Sequence, residues 1–243
     1  GGSASSNSDG SITSSVSAST DAGFSIVSYT GNATNGATVG HGLGAVPEML
    51  IGKDLSDTSG WGVWNKDLTN GGYRLTLSTT DAQSDDTALF GGSSRTVPTS
   101  SVFTLGSGGG LNGANANIIY AFSSVKGYSK IGSYTGNGNL DGPFCFTGFK
   151  PAFVLGKRTD SAGGWWLSDN KRSSGFNLND EYLVADSSNA EQNDGSFASD
   201  FLSNGWKARA TNGNFNADGG KYIYMAFAES PFVTSTGVPA TAR

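Results

Sequence analysis

The sequence predicts an all-β protein made of two homologous antiparallel β-sandwich domains. Three observations support this prediction: a long internal repeat, many short apolar segments bounded by turn residues, and little helical periodicity. The chain has 243 residues, 37 of which are glycine. This length is sufficient for two domains that each bury a core.

The repeat is a pattern that returns at an almost constant distance. Gly52-Lys53 recurs as Gly156-Lys157, and Trp61 recurs as Trp165, both after 104 residues. The segment 118–122 recurs at 223–227 with one residue more. An offset held over so many residues indicates an internal duplication, and each copy is too long to be a solenoid repeat.

The repeat divides the chain into four parts. We expect an extended Ser/Gly-rich arm or linker at 1–22, a first sandwich at 23–126, a second at 127–232 and a C-terminal tail at 233–243.

The arm has few apolar residues, so in isolation it would bury too little surface to be ordered. Within it, Ser11, Ile12, Thr13 and Val16 have a spacing that permits an edge strand. We therefore expect these residues to lie on a surface supplied by another part of an assembly, which favours a homo-oligomer.

Short β segments follow in order along both halves. They are rich in β-branched and aromatic residues and end at glycine or asparagine-glycine turns. The clearest are 24–29, 47–52, 117–122, 151–156 and 221–228. The pairs Asn112-Gly113 and Asn212-Gly213 predict tight hairpins.

Composition excludes several classes of function. The net charge is −5 and no run of Lys and Arg is present, which argues against binding to nucleic acid. No apolar run approaches the ~20 residues that span a bilayer, so no membrane partner is expected. Cys145 is the only cysteine, which excludes an intrachain disulfide. Its neighbours Phe144 and Phe146 predict that it is buried in a strand.

Two segments of the second half carry a resemblance to a known family. These are Tyr134-Thr135-Gly136-Asn137 followed by 148–154, and Asn204-Gly205-Trp206-Lys207 followed by 222–232. They resemble a glycine-rich duplicated domain of tail-fibre-like proteins in marine tailed bacteriophages, over roughly residues 10–243. The resemblance implies a place on the virion surface and transfers no catalytic residues.

Catalytic patterns are few. His41, the single histidine, lies in a glycine-rich turn without a nucleophile-elbow sequence, and we interpret it as a turn residue. Asp169, Asp180 and Glu181 are the best candidates for the paired carboxylates of a polysaccharide-degrading enzyme. Because loop carboxylates are usually solvated, we assign no catalytic residue and no cofactor.

One loop is rich in the oxygen ligands that Ca²⁺ prefers. Its candidates are Asp186, Asn189, Glu191 and Asp194, but their spacing does not fit an EF-hand loop. A solvated acidic loop is the alternative, and we assign no metal.

Tryptophans in glycine-rich loops suggest a glycan-binding surface. Trp61, Trp64 and Trp166 would stack on sugar rings, and polar contacts would come from Asp169, Asn170, Lys171 and Arg172. Trp166 should be exposed, since its neighbour Trp165 points to the opposite face. The alternative is that these tryptophans belong to the cores.

These observations lead to one expected function and two alternatives. We expect a non-enzymatic structural component of a bacteriophage particle, in contact with other virion proteins. The first alternative is an adhesin module that binds host surface glycans, and the second is the polysaccharide-degrading enzyme.

Overall fold

The computed structural model describes residues 2–173 and 176–231, and its regular structure is almost entirely β. It contains two compact units. Unit 1 comprises the residues up to Leu77 together with Gln83–Ser123, and unit 2 comprises Ser78–Ala82 together with the residues from Ser124 onwards. Every strand pair is antiparallel, so the predicted all-β antiparallel fold is confirmed.

Unit 1 is built around one large sheet. Its elements in chain order are β1 (Ser5–Asn7), β2 (Ser14–Ser19), β3 (Phe24–Thr30), β4 (Thr38–Gly40), β5 (Met49–Asp54), β6 (Gly62–Asn65), β7 (Tyr73–Thr76), β8 (Ser84–Asp85), β9 (Val102–Thr104), α1 (Gly109–Asn112) and β10 (Ala116–Phe122). The large sheet has the order β1-β2-β3-β10-β5-β6-β7-β8, and β4 pairs with β9 in a second sheet.

Unit 2 is also built from two sheets. Its elements are β11 (Ser129–Thr135), β12 (Phe144–Phe146), β13 (Pro151–Arg158), β14 (Trp166–Asp169), β15 (Leu183–Val184), β16 (Ser199–Leu202), β17 (Gly205–Ala208), α2 (Gly213–Asn216) and β18 (Lys221–Ala228). One sheet has the order β11-β18-β13-β14-β15, and the other has the order β12-β17-β16.

The two units share a strand order. In unit 1 the central run is β3-β10-β5-β6-β7, and in unit 2 it is β11-β18-β13-β14-β15. The pair β4-β9 corresponds to β12-β17, and a short helix precedes the last strand of each unit. This order agrees with the repeat in the sequence; that the units arose by duplication stays a prediction.

A buried tyrosine ties the short helix to the large sheet in each unit. The Tyr29 hydroxyl donates to the carbonyl of Leu111 at 2.7 Å, and the Tyr134 hydroxyl donates to that of Phe215 at 2.7 Å. Both carbonyls belong to the third residue of a four-residue helix. Burial raises the pKa of both tyrosines, so both hydroxyls remain donors.

The last residue of each short helix is a fully buried asparagine. Asn112 accepts from the backbone N–H of Asn32 and donates to the carbonyls of Thr34 and Gly106. Asn216 makes the corresponding bonds to Asn137, Asn139 and Ala210. The predicted hairpin at Asn112-Gly113 is therefore wrong, because Asn112 ends α1.

The predicted hairpin at Asn212-Gly213 is also wrong. The Asn212 side chain accepts from the backbone N–H of Asn214 at 2.8 Å, and so it caps the start of α2. Asparagine favours both turns and helix starts, because its side chain bonds the backbone two residues on.

The N-terminal segment belongs to unit 1, which corrects the predicted separate arm at 1–22. β2 pairs with β3 from Ser15 to Ser19, placing Val16 opposite Val27. Ile12 forms a parallel bridge with Val39, and the Ser11 N–H donates to Thr38 Oγ1 at 2.9 Å. Ile12 and Val16 are buried in the core of their own chain, while Ser11 and Thr13 are exposed.

The two cores differ in composition. The core of unit 1 is mainly aliphatic and includes Val27, Val39, Leu50, Leu105 and Ile119. The core of unit 2 is mainly aromatic and includes Tyr134, Trp166, Trp206, Phe215 and Tyr224.

The limits of the units differ slightly from the predicted domains. The units divide between Ser123 and Ser124, close to the predicted junction after residue 126, and Ser78–Ala82 falls in unit 2. The predicted tail at 233–243 lies outside the described residues. Among those residues, no helix is long and apolar enough to cross a membrane.

Candidate functional site

Two of the three tryptophans of the predicted glycan surface are buried within their own units. Trp64 and Trp166 are buried, at 3% and 0% exposure, and Trp61 is half-buried against Tyr120. Trp166 packs edge-on to Phe215 in the core of unit 2, with ring centroids 4.9 Å apart. The prediction that Trp166 is exposed is therefore wrong.

The reason lies on the neighbouring strand. Gly156 is directly opposite Trp166 in the sheet, and a Cβ at Gly156 would overlap the indole ring. The missing side chain of Gly156 leaves room for the indole ring on the core face. Trp165, whose backbone N–H donates to the Asp186 carboxylate, is also buried.

The polar residues predicted to contact sugars instead hold a turn at the end of β14. Asp169 accepts from the backbone N–H groups of Lys171 and Arg172 and from Arg172 Nε at 2.7 Å. Arg172 also contacts Glu191. Asn170 Nδ2 donates to Glu229 Oε1 at 2.7 Å. These contacts use most of the polar atoms that sugar recognition would require.

The candidate carboxylates near this turn differ in their contacts, and the buried Oε2 of Glu181 has no hydrogen-bond partner among the described residues. Asp169 forms the ion pair with Arg172, whereas the backbone N–H groups of Asp180 and Glu181 both donate to Ser173 Oγ at 3.2 Å. This arrangement does not identify an acid and base pair.

The candidate calcium loop is also divided among structural contacts. Asp186 accepts from Trp165, Glu191 pairs with Arg172, and Asp194 accepts from Tyr182 and Ser196. Asn189 donates its N–H to Ser187. Within residues 2–173 and 176–231, no three His, Cys, Asp or Glu side chains are grouped to hold a metal ion.

His41 is a buried turn residue, as its glycine-rich setting predicts. Nδ1 accepts from the Leu43 N–H at 3.2 Å, and Nε2 lies 3.1 Å from the Thr99 carbonyl. These contacts fit the neutral tautomer with the proton on Nε2. Burial lowers the pKa of His41, against smaller raising effects of Thr99 and Asp9.

Unit 2 builds the same turn with threonine. Thr147 Oγ1 accepts from the Phe149 N–H at 3.3 Å, as His41 Nδ1 accepts from Leu43. The residue between them is a glycine with positive φ in both turns, Gly42 and Gly148. His41 therefore has a structural counterpart that cannot titrate.

The repeated Gly-Lys pairs are structural as well. Lys53 Nζ donates to the carbonyls of Asp54 and Asp57, at 2.7 and 2.8 Å. Lys157 Nζ donates to those of Arg158 and Thr80, at 2.9 and 3.1 Å. Burial lowers the pKa of Lys157 to about 8, although Asp186 and Asp81 oppose this effect.

Unit 2 contains an open cleft of about 330 Å³ with both polar and apolar lining. Side chains from several separate segments of the chain line it, including those of Asp186, Gln192, Asn212 and Asn214. Tyr182 and Phe197 lie beneath them and are almost fully buried, so they offer little surface for stacking. The cleft could bind a small polar ligand through hydrogen bonds.

An aromatic surface lies on β12, an edge strand of its sheet in the part of the chain that the structure describes. Phe144 and Phe146 point outward with 45% and 63% exposure, while Cys145 between them is buried. Burial raises the pKa of the Cys145 thiol, so the residue acts as a small apolar core group, as predicted.

A group of paired charges adjoins Phe144. Lys207, directly opposite Phe144 on β17, contacts Asp141 at 2.7 Å. Arg209 contacts Asp141 at 3.1 Å and Asp200 at 2.5 Å. The hydrogen bond from Lys207 holds the pKa of Asp141 below its usual value.

Comparison with known proteins identifies a family. A family model described as a domain of unknown function, DUF7483, matches residues 1–231. The chain belongs to this family. No curated protein and no solved structure matches it.

The match to DUF7483 includes the N-terminal strands and both units. This extent agrees with the structure, in which residues 14–19 pair with other strands of unit 1. Sequence reasoning missed the cleft and the asparagines that end the short helices. Asn112 and Asn216 share the 104-residue offset, which is a signal that could have found them.

Proposed function

We propose that this DUF7483 chain is a non-enzymatic structural protein of a bacteriophage particle, located on the virion surface. One observation carries the non-enzymatic part of the proposal: three buried polar residues of different types hold the backbone in place. His41, Lys157 and Asn216 each bond to backbone groups. Such groups stabilise a fold, whereas a catalytic group must face its substrate.

Two further features support the proposal. The resemblance of residues 134–137 and 204–207 to tail-fibre-like proteins of marine phages agrees with a place on the particle. Charged residues form 14% of the chain, against about 25% in an average soluble domain, and such surfaces suit packing against neighbours.

Mass spectrometry of purified virus particles tests this function. Particles produced from the genome that encodes the chain should contain it in a fixed ratio to the major capsid protein. A non-structural protein of the same phage serves as the control for contamination. Absence of the chain from the particles, or depolymerisation of a polysaccharide by the purified protein, would overturn the proposal.

Binding of host glycans is a second candidate function, and the cleft of unit 2 favours it over the predicted tryptophan loops. Amide and carboxylate side chains from separate loops converge there, including Asn212, Asn214 and Asp186. Such groups recognise sugar hydroxyls by directional hydrogen bonds. This function is compatible with the first, because an adhesin is also a structural protein.

A glycan array with two variants tests the second candidate. Asn214→Ala removes an amide that lines the cleft, and Lys171→Ala removes an exposed group of the originally predicted loop. If the cleft binds glycans, Asn214→Ala should lose the wild-type signal and Lys171→Ala should keep it. The opposite result would indicate that the loop containing Lys171 is the binding site. A wild-type protein that binds no glycan would overturn glycan binding as a function.

A further inference from the structure

The exposed phenylalanines of β12 form a compact apolar surface. Phe144 and Phe146 are two residues apart on one strand and therefore point to the same side of the sheet. The ring of Phe144 leans over Gly205, whose added Cβ would lie 2.8 Å from the ring. On the far side of Gly205, Leu202 continues the row and is half-buried. Aromatic residues in this setting are typical of protein interfaces.

The corresponding strand of unit 1 is covered by its own chain. Thr38 and Gly40 of β4 occupy the places of Phe144 and Phe146. Asn7 lies so close to Gly40 that a Cβ added at Gly40 would overlap the Asn7 side chain, and a Cβ added at Gly10 would overlap the Thr38 backbone. The small residues of β4 thus fit beneath the N-terminal segment.

Phenylalanines would not fit at these two places, because the Asn7 side chain lies against Gly40 and Gly10 lies against the Thr38 backbone. A second copy of the segment 7–12 is therefore a poor partner for β12. The partner must present a surface that accommodates two rings.

The sequence of β12 suggests what that surface is. Phe144-Cys145-Phe146 reads the same in both directions, so an antiparallel pairing with itself about Cys145 is self-complementary. It sets Phe144 opposite Phe146 of the second copy, and Phe146 opposite Phe144. Directly opposed aromatic pairs are among the favourable cross-strand contacts.

The charges beside the surface do not oppose this pairing. Asp141 and Asp200 balance Lys207 and Arg209, and all four are already paired within one copy. Two copies therefore meet with neutral charge groups at the rim and aromatic rings at the centre, as in many interfaces.

We propose that two copies of the chain associate through β12, antiparallel and about a two-fold axis at Cys145. The two sheets of order β12-β17-β16 would then form one continuous sheet across the pair. This inference names the assembly partner within the proposed structural function and rests on it. Dimerisation is measured in solution, whereas the structural function is tested on purified virus particles. A failure of the dimer proposal can therefore be distinguished from a failure of the proposed function.

Sedimentation over a range of concentrations tests the association with the whole chain. The wild type should show a reversible monomer–dimer equilibrium. Phe144→Ser/Phe146→Ser should weaken it at least about tenfold in Kd, as loss of interface anchors does. Leu55→Ser/Val97→Ser, which replaces two exposed apolar residues of unit 1, is the matched control and should not change Kd.

A pair of charged variants tests the register. Phe144→Lys/Phe146→Glu places opposite charges across the two-fold pair, whereas Phe144→Lys/Phe146→Lys places like charges there. The first variant should dimerise more tightly than the second, and added salt should reduce the difference. Circular dichroism should show that both remain folded, because the replaced side chains are exposed. A wild type that stays monomeric, a serine variant with unchanged Kd, or equal Kd for the two charged variants would overturn the proposal.

Discussion

Unit 1 and unit 2 share a strand order but complete their cores in different ways. In unit 1 a cross-strand row runs through Val16, Val27, Ile119, Gly52 and Gly62. In unit 2 the corresponding row runs through Gly132, Tyr224, Gly156 and Trp166. The first row is longer by one strand, and that strand comes from the N-terminal segment.

The difference reflects how space over the glycines is filled. In unit 2, Tyr224 reaches over Gly132 and Trp166 lies over Gly156, so two large rings fill the row. In unit 1 no residue of the row is aromatic, and aliphatic side chains such as Leu111 and Leu89 fill the space over Gly52 and Gly62. The same strand order therefore permits two ways of distributing side-chain volume in the core, provided that the core remains fully packed.

The largest expected effect comes from removing the N-terminal strands. Deletion of residues 2–19 removes the buried Ile12 and Val16 and exposes the edge of β3. Unit 1 should lose about 3–6 kcal/mol, from two buried aliphatic side chains at about 1.5–3 kcal/mol each. Hydrogen–deuterium exchange should show lost protection in β3 and β10, and retained protection in β11 and β18.

Deletion of residues 2–10 is the matched control for that experiment. It removes β1 but leaves Ile12 and Val16, so its effect on the exchange of β3 should be much smaller. Equal effects of the two deletions would show that the apolar side chains of the segment do not complete the core of unit 1.

A smaller loss of stability should distinguish alanine substitutions at Gly156 and Gly52, the glycines that pair with the last strand of each unit. Gly156→Ala places a methyl group against the rigid Trp166 ring, whereas Gly52→Ala places it against the flexible ends of Ile119 and Leu111. Neither glycine has positive φ, so packing alone decides the cost. We expect about 1–3 kcal/mol for Gly156→Ala and less for Gly52→Ala, measured by urea unfolding.

Trp166→Phe offers a way to sharpen this result. A smaller ring should accept the methyl group, so Trp166→Phe combined with Gly156→Ala should be more stable than the sum of the two single losses. Strict additivity would mean that the ring and the methyl group do not compete for the same space.

The fold class followed from the sequence because short apolar segments and turns are local features. The spacing of Ile12 and Val16 correctly permitted a strand, but it could not specify which sheet the strand would join. From residue type alone we predicted an assembly arm, whereas the side chains of Ile12 and Val16 are buried in the core of unit 1.

The candidate site was harder to predict, because it depends on which face of a strand is buried. Adjacent tryptophans point to opposite faces, and the sequence does not say which of Trp165 and Trp166 faces the core. The recurring Gly52 and Gly156 were the available signal, since a glycine on a strand often marks a large neighbour. The cleft could not be predicted, because its loops meet only in the folded chain.

The smallest expected effect concerns pH and separates the two equivalent turns. His41 in unit 1 and Thr147 in unit 2 both accept a backbone N–H two residues on, but only His41 titrates. Its pKa in the folded protein lies below the ordinary value of 6.5. As the pH falls below 6.5 the unfolded chain binds a proton that the folded chain does not, so folding stability decreases.

Urea unfolding at pH 7.5, 6.5 and 5.5, chosen as about one unit on either side of the ordinary pKa, tests this difference. Wild-type unit 1 should lose at most about 1.4 kcal/mol per pH unit below 6.5. His41→Thr, which copies the turn of unit 2, should remove this loss at pH values where carboxylates stay ionised. If the wild type is equally stable at all three pH values, the folded protein must bind the proton as readily as the unfolded chain. The Leu43 N–H could not then be facing an unprotonated Nδ1, and the equivalence of the two turns would fail.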